Sequence, residues 1–195
     1  MKICCLIILL VTVGITHADP TPNANKLVEA ALERTQHSVI YHGAYFKIDY
    51  PNGDVPARYG VCTDVIIRSY RALEIDLQRL VHEDMRENFS RYPAKRIWNQ
   101  TTADRNIDHR RVPNLQTFFS RHGTVLSISQ FGKDYQPGDL VTWMLPGNLP
   151  HIGIVVNEYS EDDKRPLIVH NIGAGPKLED VLFAYPITGH YRYGF

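Results

Sequence analysis

Three short apolar runs in the second half of the chain decide most of what it can fold into. They are residues 140–145, 151–156 and 167–170. Pro146-Gly147-Asn148 separates the first two, and the charged stretch 160–165 separates the second and third. Connections this short cannot carry a parallel crossover, so these strands must run antiparallel. Gln136-Pro137-Gly138-Asp139 is a turn that opens the first strand, and a last strand is expected over 190–193. Ahead of residue 125 the apolar period is helical instead. Asn23 or Asn25 can cap a helix running to about Gln36, with Leu27, Val28, Ala31 and Leu32 inward. A second helix is expected from Cys62 to about Leu73. A third, capped by Asp76, should run to about Phe89, and a fourth over 113–121. Residues 39–50 read as extended structure or a hairpin, and 90–111 as a polar, basic surface segment. Helices followed by a meander of strands make this an α+β chain in one domain, residues 19–195.

The N-terminus carries Lys2, an unbroken apolar run from Ile3 to Val13, and Thr16-His17-Ala18 before Asp19-Pro20. These are the parts of a secretory signal peptide, residues 1–18, so an exported protein, periplasmic or secreted, is expected. The run falls short of the ~20 residues a membrane span needs, and no second run of that length follows. Without the signal the chain has 20 basic and 21 acidic residues, which offers nothing to nucleic acid or an anionic membrane.

Cys4 and Cys5 leave with the signal, so Cys62 would be the sole thiol of an exported chain. Such a cysteine has no internal disulfide partner and points to intermolecular pairing or a reactive role, the alternative being a small, buried, apolar residue. Turn formers precede it and Val65, Ile66, Ser69 and Leu73 follow at helical spacing, which puts it in a first helical turn. There the free N–H groups and the helix dipole favour a thiolate. A catalytic thiolate needs an imidazole and a group to orient it. His151 opens one strand and His170 ends its expected antiparallel partner, which makes them neighbours at one edge of the sheet. Asp108-His109-Arg110-Arg111 is a compact cationic patch, read as a solvated loop, with a grip on a stem-peptide carboxylate as the alternative. Gly173-Ala174-Gly175 lacks the third glycine of a dinucleotide loop, and no cofactor or metal is expected.

With these residues in hand, the chain resembles the NlpC-type branch of papain-like cysteine peptidases. The likeness rests on Cys62 opening a helix, Pro137-Gly138-Asp139-Leu140-Val141, His151-Ile152-Gly153-Ile154-Val155 and His170. The longer strings Gly60-Val61-Cys62-Thr63-Asp64-Val65, Asp76-Leu77-Gln78, His82-Glu83-Asp84-Met85 and Val169-His170-Asn171-Ile172-Gly173-Ala174-Gly175 resemble a group of secreted bacterial proteins, a domain of unknown function related to that branch. The resemblance implies the nucleophile helix packed on an antiparallel sheet, and cleavage of an amide in peptidoglycan stem peptides. It implies Cys62 as nucleophile, His151 as general base and His170 as third member, with Asn171 as the alternative third. It also implies an upstream tyrosine at the oxyanion, Tyr50 or else Tyr59. The sequence departs from the branch at Val61-Cys62-Thr63, and Asp64 places a negative charge one turn from the thiol. A binding module for wall peptides or a protein, on the same fold but without catalysis, is the alternative reading.

Overall fold

The computed structural model describes residues 22–195, and the expected signal peptide lies outside them. The first helix, α1 (Pro22–Arg34), buries Ala24, Leu27, Val28 and Ala31. The expected hairpin over 39–50 does not form. Only β1 (Ile40–Tyr41) is regular there, and it pairs in parallel with β2 (Tyr59–Gly60). Helix α2 (Cys62–Arg71) follows at once. Asp76 caps α3 (Leu77–Asn88) by accepting from the Gln78 and Arg79 amides at 3.0 and 3.3 Å, as its side chain and place in the sequence require.

The segment 90–111 is more ordered than its composition suggests. It contains α4 (Ala94–Trp98) and a 3₁₀ turn over Asp108–Arg110 whose three side chains are buried. Helix α5 (Val112–His122), with proline in its first turn, buries Leu115, Phe118 and Phe119.

Strands β3 (Thr124–Val125), β4 (Leu140–Leu145), β5 (Leu149–Tyr159), β6 (Pro166–His170), β7 (Lys177–Glu179) and β8 (Ile187–Arg192) form one antiparallel sheet in the order β3-β8-β4-β5-β6-β7. The chain is therefore a mixed helix and sheet protein with an antiparallel sheet. The meander β4-β5-β6 is as expected, but the last strand is internal, between β3 and β4.

Alternation along the strands divides the interior in two. Leu140, Ile152, Ile154, Val156 and Val169 meet α1, α2 and α5 in the main core, which also holds Cys62. Val141, Trp143, Val155 and Ile168 face the other way and are covered by Tyr135 and Leu182 in a smaller core without helices. Gly153 lies on this second face. A Cβ there would sit 2.5 Å from Ile168 Cγ2, so β5 and β6 pack together only because the residue is glycine.

Candidate active site

Cys62 opens α2 behind an extended Val61 (φ −124°), as its place after the turn formers implies. It lines a cleft of about 240 Å³ with Tyr41, Gly43, Trp98, Arg110 and Pro150. The helix start is fixed by its neighbours. Asp64 Oδ2 accepts from the Val61 amide at 2.7 Å, and Thr63 Oγ1 donates to the Arg110 carbonyl at 3.1 Å. Arg110 grips the Asp64 carboxylate with two bonds, Nε to Oδ1 at 2.9 Å and Nη2 to Oδ2 at 3.0 Å. It also donates to the carbonyls of Ala44 (3.0 Å) and His42 (3.3 Å). Three segments far apart in sequence thus meet at this one guanidinium. The reading of residues 108–111 as a solvated patch is overturned: Arg110 is buried against a charge that sequence inspection left unanswered.

The expectation of a thiolate is also corrected. Burial pushes the Cys62 thiol up to about 12, helped by the charge on Asp64. Backbone hydrogen bonds at Ile152, Thr63 and Cys62 itself pull the other way but do not prevail. The helix-start effect is smaller than the desolvation of a buried sulfur.

His151 and His170 do meet. His151 Nε2 lies 2.9 Å from His170 Nδ1, because β5 and β6 pair antiparallel with the start of one beside the end of the other. His170 Nε2 in turn lies 2.9 Å from Glu179 Oε2 on β7. Burial lowers the pKa of His170, and the charge and hydrogen bonding of Glu179 raise it against that larger effect. Burial, with a smaller push from His170, brings His151 down to about 3.

The chain of partners orders the protons. The Glu179 carboxylate favours a proton on His170 Nε2. His170 Nδ1 is then an acceptor, and His151 carries its proton on Nε2. His151 Nδ1 is left as a lone pair, and no described residue hydrogen-bonds to it. Sequence inspection missed Glu179. Its signal was the short stretch after Gly175, which returns as the hairpin partner of β6.

Among the described residues no hydrogen bond joins Cys62 to His151. His151 faces the Trp143 side of the sheet, with ring centroids 6.0 Å apart, whereas Ile152 beside it packs in the core of Cys62. The backbone bond at Ile152 sets the sulfur next to this strand.

Of the two candidates for third member, His170 touches His151 and Asn171 does not. Asn171 Oδ1 accepts from the Gly173 amide at 3.0 Å, and its Nδ2 is buried without a partner. Neither expected tyrosine reaches the thiol. Tyr50 packs edge-on to His82 at 5.3 Å and beneath Arg105. Tyr59 lies against His42 (4.7 Å) and Phe46 (5.8 Å). The tyrosine of the cleft is Tyr41, set there by the pairing of β1 with the strand just before Cys62. Tyr41 is 43% exposed as a residue, yet burial, followed by charge on Cys62, pushes its hydroxyl up to about 12. His109 lies among Arg110, Arg71 and Asp54, so it does not join the two paired histidines.

Comparison with known proteins adds a family to this geometry. The domain of unknown function DUF1287 matches residues 28–193. The chain is similar to "Uncharacterized protein YijF" of Escherichia coli (strain K12). The two are 49% identical over 167 residues, which cover 86% of this chain and 80% of that protein. The chain belongs to the DUF1287 family.

Proposed function

We propose that this member of the DUF1287 family is an exported cysteine hydrolase on an NlpC-type, papain-like fold, cleaving an amide in peptidoglycan stem peptides. The observation that carries the reading is the Glu179–His170–His151 chain. It leaves an uncharged imidazole nitrogen, His151 Nδ1, without a hydrogen-bond partner on the strand whose backbone touches the cysteine sulfur. Both reacting groups rest uncharged, as a thiol and a neutral imidazole. The reading requires substrate binding to bring them together, because in the free protein His151 faces the Trp143 side of the sheet and Cys62 the helix side.

The thiol proton passes to His151 Nδ1, and the sulfur attacks the amide carbon. The oxyanion that forms accepts from the Cys62 amide and the Tyr41 hydroxyl. On collapse the C–N bond breaks, the amine leaves with the proton from His151, and a thioester remains. Water then adds with His151 as base, releasing the acid and restoring the thiol.

The neutral thiol and the missing Cys62–His151 bond favour a second reading, a binding module for wall peptides on the same fold. One experiment separates the two. The mature protein is incubated with purified wall fragments, and new amino groups are followed by mass spectrometry. The hydrolase gives product that Cys62→Ala and His151→Ala each lose by at least ~10³-fold with folding intact. Binding without product in the native protein overturns the hydrolase and leaves the module.

A further inference from the structure

The cleft at Cys62 is too small for a peptide substrate. At about 240 Å³ it holds an amide and its nearest atoms, below the ~300–1,000 Å³ of ordinary ligand sites. A second cleft of about 1110 Å³ adjoins it. Pro113 lines both. Helix α4 divides them, with Trp98 on the side of the thiol and Lys95 and Arg96 on the other. A chain with its amide at Cys62 that reached past this wall would enter the larger space.

That space has a definite charge. Arg91, Lys95 and Arg96 line it, and no aspartate or glutamate does. All three cations are exposed, and no ion pair or side-chain hydrogen bond involves any of them among the described residues. The exposed ion pairs elsewhere, such as Arg165 with Asp180 at 2.7 Å, show that surface cations in this chain do find acids where acids are near. The whole chain is neutral, so this is a local excess of positive charge and not a general one. The rest of the lining suits a peptide: Phe89 and Pro93 offer apolar contact, and Thr101 and Thr117 offer hydroxyl groups.

We infer that the cleft bounded by Arg91, Lys95 and Arg96 binds an acidic peptide arm of the substrate, holding its carboxylates while the amide lies at Cys62. The placement of the amide rests on the hydrolase reading; the preference for carboxylates does not. Arginine and lysine hold carboxylates through charge-assisted hydrogen bonds that a neutral amide cannot replace.

The test uses the mature protein and two probes, acetyl-Ala-Glu-Ala-Glu-amide and the same peptide with Gln for Glu. Binding is measured by calorimetry at 50 and 500 mM salt, in the native protein and in the triple variant Arg91→Gln/Lys95→Gln/Arg96→Gln. The three side chains are exposed, so the variant should fold, which circular dichroism checks. The expected result is at least ~10-fold tighter binding of the acidic peptide at low salt, reduced at high salt and lost in the variant. Equal binding of the two peptides, binding of neither, a preference that survives in the variant, or displacement of the acidic peptide by a short oligonucleotide overturns the proposal. Turnover is read separately on wall fragments. An acid preference without cleavage retires the hydrolase and leaves the cleft. Cleavage without an acid preference does the reverse.

Discussion

Replacing Arg110 by methionine should cost far more than the loss of a surface arginine. The Arg110 and Asp64 side chains are 2% and 3% exposed. Among the described residues, the substitution strips Asp64 Oδ1 of its one donor and leaves Oδ2 with the Val61 amide. It also removes the donors to the His42 and Ala44 carbonyls. Breaking a buried ion pair by removing one partner costs ~3–5 kcal/mol, because a charge is left in a medium that cannot solvate it. For a domain of this size each kcal/mol lowers Tm by ~2–4 °C, so a fall of ~6–20 °C is expected. The double variant Asp64→Asn/Arg110→Met removes both charges and should recover at least ~2 kcal/mol of the loss. Urea unfolding followed by circular dichroism supplies the four corners of that cycle. A single-variant cost below ~1 kcal/mol, or strictly additive costs, would refute the claim that this pair clamps the start of α2.

Two further outcomes follow from the buried groups. His151 and His109 are each held down to about 3 by burial, while an unfolded histidine titrates near 6.5. As pH falls from about 6.5 toward 3 the unfolded state takes up protons that the folded state refuses. Stability should therefore drop over that window, less so in His109→Gln, as urea midpoints at stepped pH would record. With its thiol pushed up to about 12, Cys62 should react with iodoacetamide more slowly at pH 8 than a free thiol with pKa ~8.5. Fast alkylation of the folded protein would contradict the burial assigned to it.

Much of this architecture is legible along the chain because it is local. Asp76 caps α3 through bonds two and three residues away, and the β4–β5–β6 meander follows from turns a few residues long. The His151–His170 contact was readable too, since hairpin pairing fixes it. What escaped depends on long-range pairing. Arg110 looks like part of a polar loop until Asp64, 46 residues earlier, is placed against it. Tyr41 enters the cleft through the parallel pairing of β1 and β2, two short strands with no periodicity to detect. The state of the thiol was misjudged for a related reason. The helix start is visible in the sequence, but the depth of burial that outweighs it is set by β5 and α5, much later in the chain.

The internal position of β8 bears on how the protein is made. Residues 187–192 lie far along the chain from β3 and β4, yet they pair with β4 on one side and β3 on the other. A nascent chain therefore has nothing to bridge Thr124–Val125 to Leu140–Leu145 until residues 187–192 have been made. Until then β4 has an open edge, and the main core lacks Tyr191. Closure of the sheet must wait for this strand, and a truncation before Ile187 would take out an internal strand instead of trimming an edge.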